Sequence, residues 1–363
     1  MLINKLCKEK KLKKINLLSL NITKMENFCI FLGEKKFRAS QIMYWIYQKF
    51  YKNFDKMTNL SKIFIKKLKK YAFVKTPLLK FQEISKDGTI KLGFELNKKI
   101  IETIYIPEKK RITLCISSQI GCPLKCNFCA TGKLGFFRNL LVEEIIGQVW
   151  YVMRQSYKKK KLYKKITNIV MMGMGEPLLN FHNIQIVLDI LLHKNCSNFS
   201  KHKITVSTAG IVPALIKMKK KLDISLAISL HASNNEIRNS LMPINYKYNI
   251  QELIFAVKNY LKISKANRSR VTIEYVMLKD INDQKKHAKE LIKLLKNLSC
   301  KINLIPWNPI PNSLYVSSPM ENIINFSKIL MQKGFVTLIR KNRGMDINAA
   351  CGQLSGQKKL KNF

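Results

Sequence analysis

Three thiols fall within eight residues, in Cys122-Pro-Leu-Lys-Cys126-Asn-Phe128-Cys129. Thiolates are the ligands of iron–sulfur clusters, and three of them hold three irons of a [4Fe–4S] cube while leaving the fourth iron open to an outside ligand. A zinc knuckle, completed by His or Cys from elsewhere in the chain, is the other chemistry that this spacing allows. Two further cysteines stand apart from the triplet: Cys115 just before it, and Cys351 on a loop flanked by Gly344, Gly352 and Gly356. The run Val170-Met-Met-Gly173-Met-Gly175-Glu176-Pro177 combines glycines, which permit close backbone approach, with a carboxylate that can accept from an ammonium group. Ser207, Ser229-Leu230-His231 and Asn308 each follow or end an apolar run, and their Ser and Asn side chains suit turns for local reasons alone. Cys7, Cys29, Cys196 and Cys300 match no motif and read as packing or surface residues.

The elements that would position these groups alternate regularly from about residue 112. Strands are expected over Ile112 to Ser118, Ile166 to Met172, Lys203 to Ser207, Asp223 to Leu230, Val271 to Leu278 and Lys301 to Pro306. Helices are expected over Val142 to Tyr157, Asn183 to His193, Val212 to Lys221, Ile250 to Ile263, Gln284 to Leu298 and Met320 to Lys333. Nearly continuous apolar strands joined by crossover helices imply a parallel sheet buried on both faces. Six βα units suggest a partial (β/α)6 barrel in the α/β class, with Val336 to Arg340 as an added strand; a doubly wound open sheet is the competing fold. On a barrel, the cysteine loop and the Ser, His and Asn positions share one address, the carboxyl ends of the strands, where barrels keep their active sites. Residues 1–80 carry helical apolar spacing in Leu17 to Leu32, Gln41 to Tyr51 and Leu60 to Phe73, and read as a small helical domain. Residues 81–107 alternate like a β-hairpin connector. The barrel is assigned to 108–345 and the Cys351 loop and tail to 346–363.

The 363 residues are 47% hydrophobic and 24% charged, which excludes a disordered or collagen-like chain. No apolar run is long enough for a membrane helix, and the N-terminus lacks a secretory pattern, so a cytoplasmic, soluble protein is expected, as a monomer. Sixty-six Lys and Arg against 22 Asp and Glu give a net charge of +44, which points to nucleic acid. A blander cause competes: 57 of the cations are Lys and only 9 are Arg, as codon drift in an A/T-rich genome would produce. The run Lys158 to Lys165 reads as a solvated loop.

The C-x3-C-x2-C spacing, with Phe128 before its last Cys, resembles the signature of the radical S-adenosylmethionine (SAM) superfamily. Over nearly its full length the chain resembles one group within it, the RlmN family of adenine C2-methyltransferases that modify 23S ribosomal RNA and certain tRNAs. The resemblance rests on Ile101-Glu-Thr-Ile-Tyr-Ile-Pro107, Cys115 to Arg138, Gly173 to Pro177, Ser229 to His231, Pro306-Trp-Asn-Pro309 and Ala349-Ala-Cys-Gly-Gln-Leu354. It departs at Met345 and Asn348, where acidic residues would be expected.

That resemblance implies one [4Fe–4S] cluster on Cys122, Cys126 and Cys129, and two SAM molecules per turnover. It also implies SAM contacts from Gly175, Glu176, Ser207, Ser229, Leu230, His231 and Asn308. Cys351 would take a methyl group from the first SAM. The second SAM would be cleaved reductively to a 5′-deoxyadenosyl radical that activates this methyl for addition to adenine C2. Glu102 would remove the C2 proton, and Cys115 would release the base by forming a disulfide with Cys351. Implied partners are 23S rRNA, tRNA through the adenosine 3′ of the anticodon, and an electron donor such as flavodoxin or ferredoxin. A sister group that methylates C8 of the same adenosine shares these motifs, and a non-enzymatic zinc-containing RNA-binding protein is the alternative from another class.

Overall fold

A computed structural model describes residues 14–158, 162–268 and 270–356; Cys7 and the middle of the Lys158 to Lys165 run lie outside them. The six expected strands of the barrel are all present: β4 (Ile112–Cys115), β5 (Asn168–Met171), β6 (Ile204–Thr208), β7 (Ser225–Ser229), β8 (Val271–Met277) and β9 (Cys300–Pro306), followed by β10 (Val336–Ile339). Neighbours from β4 through β10 pair in parallel and in chain order. The apolar runs are explained by burial: in β8, Val271, Ile273, Tyr275 and Met277 are all inaccessible.

The hairpin expected between residues 81 and 107 is β2 (Ile90–Leu96) and β3 (Lys99–Pro107), with β1 (Leu78–Ile84) beside it. Because β3 also pairs antiparallel with β4, the ten strands form one sheet that ends on β1 and β10 and does not close. It is a partial barrel in the α/β class. The β3–β4 register sets Pro107 against Ile112 and Ile104 against Cys115. Cross-strand partners share a face and side chains alternate along a strand, so Glu102, Ile104 and Cys115 lie on one face of the sheet.

Helices α1 (Ile22–Phe31), α2 (Arg38–Tyr47) and α3 (Lys62–Tyr71) precede the sheet. The crossovers carry α4 (Val142–Tyr157), α5 (Phe181–Leu192), α6 (Val212–Lys221), α7 (Asn235–Leu241), α8 (Ile250–Leu261), α9 (Lys285–Leu295) and α10 (Met320–Gln332). Of these, only α7 has no counterpart in the apolar pattern. Two compact units emerge, one built from residues up to 78 with 140–167 and 182–200, the other from 79–139, 168–181 and 201 onward. In the first unit the N-terminal helices and α4 share a core: Trp150 is 2% exposed, donates from Nε1 to the Ile46 carbonyl at 2.8 Å, and meets Phe50 edge to face. Gly147 on α4 belongs to that contact, since a Cβ there would stand 2.3 Å from Pro77 Cδ. Among the described residues no helix is long and apolar enough to cross a membrane.

Candidate active site

The thiol triplet and the cavity beside it lie within the second unit. A cavity of about 180 Å³ opens at the carboxyl ends of the parallel strands, and Cys122, Cys126 and Cys129 form one side of it. The loop that carries them is tightly wound. Cys129 N donates to the Cys126 carbonyl at 3.2 Å, and Gly132 leaves no room for a side chain, because a Cβ would sit 2.8 Å from the same oxygen. Asn127 binds the loop to the end of α7, its backbone N donating to Leu241 O and its Nδ2 to Ser240 O. From the far end of the sheet, Trp307 Nε1 donates to Phe128 O at 3.0 Å.

Burial pushes the Cys122 thiol up to about 12 and holds those of Cys126 and Cys129 above the usual range, and neighbouring thiols of the triplet raise Cys122 and Cys126 further. Three such thiols ionise together only around a strongly cationic centre, which is what the irons of a cluster provide. Among the described residues no set of three or more His, Cys, Asp or Glu is arranged to hold a single metal ion.

Around the rim, the structure gathers most of the residues that the sequence points to: Gly175, Glu176, Ser207, Ser229, His231 and Asn308 all line the cavity. Gly175 has φ of 95°, and a Cβ there would lie 2.4 Å from Gln119 Cβ, so only glycine lets this backbone turn over the cavity floor. Glu176 is 3% exposed and accepts from Leu178 N at 2.9 Å and Ala209 N at 2.8 Å. Burial outweighs those bonds and raises its carboxyl to about 7. His231 sits in the left-handed region at φ of 58°, edge to face with Phe128, and burial lowers its pKa to about 3. Its Nδ1 accepts from Val276 N at 3.0 Å, so the neutral ring carries its hydrogen on Nε2. Asn308 donates from Nδ2 to the Cys351 carbonyl at 3.0 Å, while its buried Oδ1 has no partner, an acceptor ready for a ligand donor. A thiol triplet, a carboxylate and an open acceptor lining one cavity suit a cluster with SAM beside it.

Leu230, Cys115 and Glu102 do not line the cavity. Leu230 is fully buried and contributes its carbonyl to Arg238. Cys115 ends β4 and is 8% exposed. Burial first, and then the neighbouring Cys351 sulfur, push its thiol up to about 12.

Cys351 itself is exposed on the cavity wall, although the surrounding protein still holds its thiol above the ordinary value. Its loop is laced to the cysteine triplet by Ala130 N to Gly352 O at 2.7 Å and Thr131 Oγ1 to Leu354 O at 2.7 Å. Cys115 and Cys351 are both free thiols. Glu102 is fully buried; its Oε2 accepts from Gly356 N at 3.0 Å, and its Oε1 lies 3.5 Å from Lys91 Nζ. Burial raises its carboxyl, and Lys91 opposes the rise. Asn348 adopts φ of 51°, a conformation Asn tolerates well, and Met345 is 44% exposed, so the loop does without acidic side chains at both positions.

Two arginines escaped the sequence reading. Arg340 lines the cavity and its guanidinium lowers the thiol pKa of both Cys351 and Cys115. Arg238 on α7 is fully buried and donates to the carbonyls of Leu230 (3.1 Å), Ala209 (2.6 Å) and Ser229 (3.2 Å), and to Asn245 Oδ1 (2.8 Å). It thereby ties together the ends of β6 and β7, which carry Ser207 and Ser229. An Arg238→Met variant strands three buried carbonyls at about 1–3 kcal/mol each. Its midpoint of thermal unfolding should therefore fall by several degrees, whereas Arg238→Lys should recover only part of the loss. Equal midpoints for Arg238→Met and the wild type would remove this role.

A partial barrel whose first parallel strand runs into a three-cysteine loop, with a glycine-rich turn after the second, is the architecture of radical SAM enzymes, and residues 116–294 match the model of that superfamily. Residues 15–74 match a second model, the ribosomal RNA large subunit methyltransferase N-terminal domain. The "Dual-specificity RNA methyltransferase RlmN" of Buchnera aphidicola subsp. Cinara cedri is 63% identical, over 95% of this chain and 97% of that protein. The protein of the same name from the subspecies Schizaphis graminum is 55% identical over 94% of each. A crystal structure of a radical SAM methyltransferase from Sphaerobacter thermophilus superposes with a TM-score of 0.87 at 37% identity, covering 94% of this chain and 100% of that one. The chain belongs to the RlmN family. Membership carries with it the [4Fe–4S] cluster and SAM that radical SAM enzymes use.

Proposed function

We propose that the protein methylates C2 of adenosine in 23S rRNA, and in some tRNAs the adenosine 3′ of the anticodon, through an S-methylcysteine on Cys351. The observation that carries this reading is the position of Cys351, exposed in the same cavity as Cys122, Cys126 and Cys129 and close enough to Cys115 to perturb its thiol. Adenine C2 is electrophilic and has no lone pair to attack a methyl cation, so a polar transfer from SAM to this carbon has no route, and a radical formed on a protein-borne S-methyl group is needed.

Cys122, Cys126 and Cys129 would hold the cluster, leaving one iron for SAM, while Glu176, Ser207, Ser229, His231 and Asn308 would orient the SAM. Bound there, the pair supplies the electron and the hydrogen-abstracting radical. Arg340 favours the thiolate of Cys351 for attack on the methyl of a first SAM. That attack forms the S–CH3 bond and expels S-adenosylhomocysteine. After the methylene carbon has joined C2, the adduct gives up its C2 proton and its odd electron, which would return to the redox centre that supplied it. The Cys115 thiolate then attacks Cys351 sulfur, forming the S–S bond as the S–C bond breaks with its electron pair on the methylene carbon, which takes a proton to become the product methyl. Glu102 takes the C2 proton once the segment at Gly356, which now covers it, has moved; the burial that raises its carboxyl favours proton uptake. The names of the relatives and the net charge of +44 support an RNA substrate. In this reading the enzyme is a cytoplasmic monomer that draws electrons from a flavodoxin- or ferredoxin-type donor.

Mass spectrometry of nucleosides from RNA treated with the reconstituted enzyme tests the assignment. The expected product is 2-methyladenosine, and 8-methyladenosine alone would replace C2 with C8.

A further inference from the structure

A second cavity, of about 230 Å³, lies in the same unit, and the reaction described above makes no use of it. Its walls include Lys98, Lys99, Ile120, Leu134 and Phe137, with the backbone of Gly356 at one side, and its lining carries no carboxylate. Phe137 stands on the short strand Phe136–Asn139, which pairs with Gln119–Gly121 and so projects from the chain immediately before Cys122. It is 54% exposed, Phe136 beside it is 46% exposed, and Lys99 Nζ lies 4.1 Å from the Phe137 ring centre. Lys98 and Lys99 are held at the tip and root of the β2–β3 turn, where Asn97 and Lys98 both take positive φ. An apolar floor, an exposed aromatic face and two cations at the mouth complement one kind of partner, a nucleotide whose base stacks while its phosphate meets the lysines.

Chain connectivity ties this cavity to the active site. Gly121 of its wall adjoins Cys122, Met174 adjoins Gly175, and Gly356 donates to Glu102. We infer that this cavity is a seat for one RNA nucleotide flanking the target adenosine, with its base on Phe137 and its phosphate on Lys98 and Lys99. The inference rests on the RNA substrate proposed above and adds where the neighbouring nucleotide goes. A flanking base held here fixes the strand beside Gly356, the residue that covers Glu102.

The test is a binding cycle on a ribosomal RNA hairpin that the wild-type enzyme methylates. Phe137→Ala should weaken binding on the order of tenfold or more, the range of one base–aromatic stack. The double variant Lys98→Ala, Lys99→Ala should lower the slope of log affinity against log salt by roughly 1 to 2. Hairpins that lack a base at each flanking position in turn should show one position where base loss and Phe137→Ala are not additive. Additive losses at every position, with an unchanged salt slope, would overturn the seat. Phe137 and both lysines are exposed, so the variants should keep the wild-type melting temperature. A wild-type protein that binds the hairpin without methylating it would end the functional reading, and the cycle would still decide the seat.

Discussion

Cys115→Ala should stall as a covalent complex of protein and RNA, whereas Cys351→Ala should form no complex at all. Cys351 is the exposed thiol of the pair, on a glycine-flanked loop held to the cysteine triplet through Gly352 and Leu354, and it acts first as methyl acceptor. Cys115 is buried at the end of β4 and acts last, so its loss leaves methylation and addition intact and removes only the release step. Product formation should fall on the order of a thousandfold or more for each variant, since residues acting as one unit are each indispensable. Denaturing gels with radiolabelled RNA read the difference directly. If both are simple packing thiols, their Ala variants lose a little stability in parallel and neither crosslinks. Normal turnover by either variant would dispose of the two-cysteine mechanism.

Loss of a single triplet cysteine should be as severe by a different route. Cys126→Ala leaves two thiols for a site that needs three, so the reconstituted protein should lose most of its iron and sulfide along with the brown absorbance. Reductive cleavage of SAM should then fall to background. The fold should survive, because the triplet loop is also held by Trp307, by Asn127 and by the Cys351 loop. Circular dichroism and the melting curve check that point. A Cys126→Ala protein with a full cluster that still cleaves SAM would place the ligands elsewhere.

Where the sequence was legible, one feature of the fold made it so. Parallel strands buried on both faces must be almost wholly apolar, so the runs around Val271 and Ile302 stand out without any alignment. The strand ends then collect the polar residues, and the cavity lining from Ser207 to Asn308 follows from that topology. What stayed hidden depends on tertiary contacts. Strand β1 has no fully buried residue and alternates only between exposed and half-exposed positions, so its pattern is weak. Helix α7 spans seven residues, too few for a periodic stripe, and Arg238 on it looks like any surface arginine until the three carbonyls around it are seen. Lys91 is 1% exposed inside β2, against the usual habit of lysine, because Glu83 and Glu102 meet it at 3.1 and 3.5 Å. No local rule foretells such a pairing.

The turn between β3 and β4 runs from Glu108 to Arg111, exposed and outside the lining of either cavity, which is where proteins ordinarily tolerate insertions. Its length nonetheless sets the pairing of Ile104 with Cys115, and a slip of one residue turns a strand over. One added residue in this loop could therefore point Cys115 away from the face it shares with Glu102 without touching either side chain. Sequence drift here is free in composition and frozen in length, so among related chains this stretch should vary by substitution while its residue count stays fixed.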